Sequence, residues 1–223
     1  MKILKIGVDD AGRGPVIGPM IIAGCLIDLD TEKELEKLGV KDSKQLTQKR
    51  REFLEKIIKE KSISFAVRKI YPDDIEGFNV DGVKLNEVEG IHFAQIIDEL
   101  NDKVSKIKTI LDCPSISIEK WKDFMRSKIN TLSNLDLCCE HKADQNHICV
   151  GAASILAKCE REREMGKLKE KYGNEIGSGY CSDPKTKIFL EKFAVKYQDH
   201  GIFRKTWITW QNAVGSKNQK TLF

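Results

Sequence analysis

An apolar run at the start of the chain, Ile3-Leu4-Lys5-Ile6-Gly7-Val8, stops at two adjacent acids and a glycine-bracketed arginine, Asp9-Asp10-Ala11-Gly12-Arg13-Gly14-Pro15. The run reads as a strand, and a strand that ends in charge delivers its last side chains to a sheet edge, where open α/β folds hold their ligands. Along an unbroken strand Asp9 and Asp10 point to opposite faces. Gly12 and Gly14 permit a turn and leave room for a close backbone approach, and Arg13 adds a planar donor fork suited to phosphate. Alone, the stretch is equally a polar turn with a surface arginine.

The remainder of the chain alternates strand and helix patterns. Residues Ile17 to Leu29 form a second apolar stretch, and Ser62 to Ile70 alternates as a strand does. Between them, Thr47 to Lys61 places Phe53, Leu54, Ile57 and Ile58 at helical spacing behind a Thr47 cap. Leu85 to Leu100, Glu119 to Ile129 and Val150 to Tyr172 read as helices, and Lys108 to Asp112 and Leu135 to Glu140 as short strands. This order predicts an α/β fold with a helix-rich cap at the C-terminal end. The expected organisation is a catalytic domain over 1–172, a helical segment over 173–215 and a basic tail over 216–223.

With 223 residues, 40% of them hydrophobic, the chain can bury a sizeable core. Its net charge of +4 is confined to the end: after Asp199 come Arg204, Lys205, Lys217 and Lys220 and no acid. A basic tail of this kind can track a phosphate backbone or simply be solvated. Nothing resembles a leader or a bilayer-crossing run, which predicts a cytoplasmic protein with no membrane partner. The seven cysteines lack any C-x-x-C pair and mostly occupy apolar positions, so they read as reduced, buried thiols.

More acids end other strands. Asp112 closes the apolar strand Thr109-Ile110-Leu111, and Asp144 lies in Glu140-His141-Lys142-Ala143-Asp144 ahead of a helix. Together with Asp9 and Asp10 they form an all-oxygen set suited to Mg²⁺ or Mn²⁺. A pair of such ions about 3.5–4 Å apart can activate water and stabilise a leaving oxygen in phosphodiester cleavage. His141 and His147 flank Asp144 and read as surface or supporting residues. Lys44 and Lys158 are candidate phosphate contacts, with solvated lysines as the plainer alternative. Gly177-Ser178-Gly179-Tyr180 presents one aromatic ring that can stack on a sugar or base or pack on the protein.

Five segments in order, Asp-Asp-Ala-Gly-Arg-Gly-Pro at 9–15, Lys-Asp-Ser-Lys-Gln-Leu at 41–46, Glu-His-Lys-Ala-Asp at 140–144, Ala-Ala-Ser-Ile-Leu-Ala-Lys at 152–158 and Gly-Ser-Gly-Tyr at 177–180, closely resemble ribonuclease HII. The resemblance implies a ribonuclease H-like mixed β-sheet flanked by helices, with a helical C-terminal cap. It implies an endonuclease that cuts the RNA strand of RNA–DNA hybrids and nicks duplex DNA 5′ to an embedded ribonucleotide, leaving 3′-hydroxyl and 5′-phosphate ends. By position, Asp9, Asp10, Asp112 and Asp144 correspond to the family's ligands for two divalent ions. Gly12, Arg13, Gly14 and Tyr180 correspond to the elements that read the ribose 2′-hydroxyl at the RNA-to-DNA junction, and Lys44, Asn86, Ser154 and Lys158 fall near phosphate-contacting positions.

Two departures matter. The family normally carries Glu at the second acid, and Asp10 is one methylene shorter, which leaves a hybrid-binding protein with impaired catalysis as an alternative. Another ribonuclease H-like nuclease would share the acids but not the Gly-Arg-Gly and Gly-Ser-Gly-Tyr pair. At the other end, Gln219, Leu222 and Phe223 resemble a shortened sliding-clamp-binding box.

Overall fold

The computed structural model describes residues 3–40 and 46–220, and for 216–220 the backbone alone. Five strands, β1 (Leu4–Ala11), β2 (Met20–Asp28), β3 (Ser64–Ile70), β4 (Ile107–Asp112) and β5 (Leu135–Glu140), form one sheet in the order β3-β2-β1-β4-β5. β1 runs antiparallel to β2 and parallel to β4, and β4 runs parallel to β5. Helices flank this mixed sheet, and nine are present among the described residues: α1 (Leu29–Lys37), α2 (Gln48–Lys61), α3 (Pro72–Val80), α4 (Leu85–Leu100), α5 (Ile118–Lys128), α6 (Ala143–Asn146), α7 (Ile148–Tyr172), α8 (Pro184–Phe193) and α9 (Ile208–Lys220). None of the described helices is long and apolar enough to cross a membrane.

Contacts divide the chain into two compact units, each assembled from separated segments. Among the described residues, the first comprises 3–11, 21–40, 46–68 and 86–159; the second comprises 12–20, 69–85 and 160–220. The division runs through α7 at 159/160. It also assigns the loop after β1 to the second unit, because Val16 and Ile17 bury their side chains with Phe189 and Phe203.

In the first unit β1 and β2 are buried over nearly their whole length, which explains their near-continuous apolar character. β1 extends to Ala11, three residues past the apolar run, because pairing with β2 continues as far as Ala11 opposite Ile21. On one face, α7 presses its backbone against Gly7, where an added Cβ would stand 2.2 Å from the Cys149 carbonyl carbon. That contact joins the core of Ile21, Cys25, Ile110, Ile148, Ala152 and Ile155. On the other face α4 buries Phe93, Ile96 and Ile97, and Phe93 meets Trp121 of α5 edge-on with centroids 6.1 Å apart. α2 begins as expected, with Thr47 accepting a hydrogen bond from the Arg50 amide. All seven cysteines are free thiols, five of them buried.

Candidate active site

β1 and β4 bring two of the acids to the same edge. Their parallel register pairs Val8 with Leu111, which sets Asp9 level with Asp112, and the next pairing sets Asp112 opposite Glu140 of β5. The Asp112 Oδ1 accepts the Ala143 amide at 2.8 Å, tying the start of α6 to the end of β4 and carrying Asp144 to that edge. Asp9 and Asp144 are buried, and Asp10 and Asp112 are half-buried.

Asp9 is the electrostatic centre of this group. Burial pushes its carboxyl pKa well above the usual range, and the neighbouring charges of Asp10 and Asp112 push it further. A hydrogen bond from Ser154 and one from the Asp10 amide, at 2.8 Å to Oδ1, partly offset that penalty. Carboxylates that crowd each other in low dielectric favour either a proton or a cation between them, and an oxygen-only set selects hard divalent ions. The residues present therefore fit such an ion. Asp9 lies on the β1 face of Gly7 and Ala11, and Asp10 on the face of Val8, so among the described residues no three acidic, histidine or cysteine side chains already surround one point.

The two histidines that flank Asp144 have partners of their own. His147 Nε2 meets Glu140 Oε2 at 2.8 Å, and Asn146 also donates to Glu140, so this carboxylate closes the segment that carries Asp144. These partners hold the Glu140 pKa below its usual value. His141 Nδ1 lies 3.1 Å from the Cys113 carbonyl.

Gly12, Arg13, Gly14 and Tyr180 come together in the second unit. The carbonyl of Gly179 accepts the Val16 and Ile17 amides at 2.9 and 3.2 Å, fastening the loop of Tyr180 to the segment after β1. The loop itself is shaped by Asp183, which accepts the Ser178 amide at 2.7 Å, and by Thr186, whose hydroxyl accepts the Gly179 amide at 3.0 Å. Tyr180 remains 43% exposed, so its ring is offered outward.

Two glycines of the Gly-Arg-Gly turn differ. Gly12 has φ +83° and no space for a side chain, whereas Gly14 is exposed and nothing lies within 4 Å of where its Cβ would stand. The protein's own packing thus requires glycine at 12 and does not require it at 14. Arg204 donates from Nη1 to the Arg13 carbonyl at 2.5 Å and from Nη2 to the Gly12 and Gly18 carbonyls at 2.6 and 3.1 Å. Trp207 Nε1 donates to the Gly14 carbonyl at 3.2 Å.

Arg204 corrects one reading of the sequence. It belongs to the basic C-terminal excess, yet it is fully buried and serves the loop backbone, so it cannot follow a phosphate chain. Ser154 is also fully buried and faces Asp9. Asn86, in the first turn of α4, and Lys158, on α7, are half-buried. Lys44, Leu222 and Phe223 lie outside the described residues, as does the side chain of Gln219. Arg161, Arg204 and Trp207 were not singled out as site residues. An arginine among the apolar residues Ile202, Phe203 and Trp207 was the one available sign.

The fold is that of the ribonuclease H-like class, and acids at a strand edge suit a metal-dependent nuclease. Residues 6–210 match the family model described as Ribonuclease HII. A ribonuclease HII of Thermococcus onnurineus is 42% identical over 207 residues, covering 91% of this chain and 86% of that protein. The crystal structure of ribonuclease H2 from Pyrococcus horikoshii superposes with a TM-score of 0.84 at 37% identity, covering 95% of this chain and 97% of that one. The ribonuclease HII of Archaeoglobus fulgidus, solved in complex with PCNA, gives a TM-score of 0.80 at 36% identity, covering 92% and 95%. The chain belongs to the ribonuclease HII family and is a metal-dependent endoribonuclease of the ribonuclease H type.

Proposed function

We propose that this enzyme hydrolyses the RNA strand of RNA–DNA hybrids and nicks duplex DNA on the 5′ side of an embedded ribonucleotide, leaving 3′-hydroxyl and 5′-phosphate ends. Asp9, Asp10, Asp112 and Asp144 would hold two divalent ions, Mg²⁺ or Mn²⁺. When bound, such ions supply an activated water and charge stabilisation at the leaving oxygen. Ser154 orients Asp9, and Lys44, Asn86 and Lys158 contact phosphates.

The observation that carries the substrate reading is the open space at Gly14. With nothing standing where its Cβ would be, Gly14 leaves the backbone of the turn open to close approach by an outside group. The 2′-hydroxyl distinguishes RNA from DNA and is small enough to be read there, while a tyrosine ring against the neighbouring deoxyribose would exclude a second 2′-hydroxyl. Recognition of this kind needs no base contact, so cleavage is independent of sequence. Seven unpaired thiols suit a reducing compartment, which is the support for a cytoplasmic location.

The test is digestion of a DNA duplex containing one ribonucleotide, with Mg²⁺ or Mn²⁺ and both product ends mapped. A nick 5′ to the ribose with a 3′-hydroxyl end is expected. Cleavage on the 3′ side, or of all-DNA duplex at the same rate, would refute the reading. A sliding clamp is the proposed partner, through Gln219, Leu222 and Phe223, supported by the clamp complex of the Archaeoglobus fulgidus relative. Deleting residues 219–223 should abolish binding to purified clamp, and unchanged binding counts against this contact.

A further inference from the structure

Arg161, in the second half of α7, is a buried cation that donates to backbone carbonyls and lies against an aromatic ring. It is 6% exposed. Nη1 donates to the Pro19 carbonyl at 2.9 Å, Nη2 donates to the Ser178 carbonyl at 3.1 Å, and the guanidinium carbon lies 5.4 Å from the centre of the Tyr180 ring. One planar group therefore engages both segments of the ribose-reading pair: the loop that follows β1 and the loop that carries Tyr180.

The glycines around it explain how it fits. An added Cβ at Gly12 would stand 2.5 Å from Arg161 Cδ, one at Gly18 would stand 3.5 Å from Nη1, and one at Gly179 would stand 3.4 Å from Nη2. All three glycines have positive φ, of +83°, +86° and +81°. Three turns in the left-handed region thus surround one side chain, and the stem of Arg161 fills the space that Gly12 leaves vacant. The first glycine of the Gly-Arg-Gly turn is accounted for by this arginine, in contrast to Gly14, which faces open space.

We propose that Arg161 is a positioning residue that fixes the Gly12–Gly14 turn and Tyr180 in one geometry and thereby sets preference for cleavage at the RNA-to-DNA junction. This rests on the reading of those two loops as the ribose sensor. The planar fork is essential to the role. Lysine preserves the charge but offers a point donor that cannot take both carbonyls in one plane while lying along a ring face.

The test uses a duplex in which a short run of ribonucleotides is embedded in one DNA strand, and it reads the ratio of junction cleavage to cleavage within the run. That ratio comes only from active molecules, so partial unfolding of a variant lowers the total product and leaves the ratio intact. Arg161→Lys should lower the ratio about tenfold, the scale of one charge-assisted hydrogen bond. Tyr180→Ala should lower it as well, and the double variant should be no lower than Tyr180→Ala alone, because both changes remove the same placement of the ring. A wild-type ratio in Arg161→Lys, or multiplicative effects in the double variant, overturns the role of Arg161 while Tyr180→Ala still reports an intact sensor. A wild-type ratio in Tyr180→Ala removes the sensor reading itself.

Discussion

The two compact units treat buried charge in opposite ways. In the first, Asp9 is buried beside Asp10 and Asp112, and its carboxyl is pushed well above its usual pKa. In the second, Arg161 and Arg204 are as deeply buried, but their N–H groups reach the carbonyls of Gly12, Arg13, Gly18, Pro19 and Ser178. A carboxylate crowded by like charges suits a cation; a guanidinium that reaches several carbonyls braces a backbone. The first arrangement suits chemistry on a metal and the second suits recognition by shape.

The sharpest break in this comparison should come from the acids. Asp112→Asn should cut cleavage by more than about 10²-fold, beyond the loss typical of a residue that merely supports a metal ligand. Asp9→Asn should do the same and also raise the melting temperature of the metal-free protein. The sign follows from the direction of the shift. A carboxyl whose folded pKa is raised opposes folding when ionised; the penalty is absent below the unfolded pKa of about 3.9 and grows as pH rises toward the folded value. The thermal advantage of Asp9→Asn should therefore be largest near neutral pH, vanish below about pH 4, and shrink when divalent ion is added to both proteins. A variant less stable than wild type at neutral pH without metal would show that Asp9 is not strained.

A smaller and more selective effect is expected in the second unit, where two glycines of one turn should separate. Gly12→Ala must place a Cβ against Arg161 at positive φ, which should lower stability by about 1–3 kcal/mol. Gly14→Ala meets nothing and should leave the melting temperature unchanged, yet lower cleavage at a single ribonucleotide by about tenfold, the loss of one well-made contact. If both alanines destabilise alike, Gly14 has a packing role and the argument from open space fails. If neither changes cleavage, the turn does not read the substrate.

What could be read from the sequence divides along the same line. The strand-end acids were legible because an apolar run that stops in aspartate has a local signature, and a parallel α/β order places such ends on one edge. Asp144 was legible from the Glu-His-Lys-Ala-Asp segment that follows β5, where it lies inside the short α6. Arg161 and Arg204 were not, because a side-chain bond to a carbonyl 142 or 192 residues away leaves no mark in spacing. Ser154 was read as a phosphate contact from its motif, and only the packing of α7 on β1 turned it toward Asp9. Conversely, the sequence ended β1 at Val8, because periodicity registers hydrophobic residues and not the hydrogen bonds that carry the strand on through two acids.

The finest distinction concerns Asp10, the one acid that departs from the glutamate usual in the family. Asp10 lies on the opposite face of β1 from Asp9, so its carboxylate must reach around the strand end to share an ion with Asp9 and Asp112. One methylene less shortens that reach by roughly a bond length. Mg²⁺ demands near-ideal octahedral geometry at short distances and gives up water reluctantly, so it tolerates a misplaced ligand poorly. Mn²⁺ binds oxygen and nitrogen sites without so strict a demand, so the shorter acid should handicap Mg²⁺ more. The ratio of Mn²⁺- to Mg²⁺-supported rates should accordingly fall severalfold in Asp10→Glu, through a gain in the Mg²⁺ rate, while the junction preference set in the second unit stays fixed. Equal ratios in the two proteins would mean that the sheet edge adjusts to either side chain. A change in junction preference would mean that the two units do not divide chemistry from recognition as their buried charges indicate.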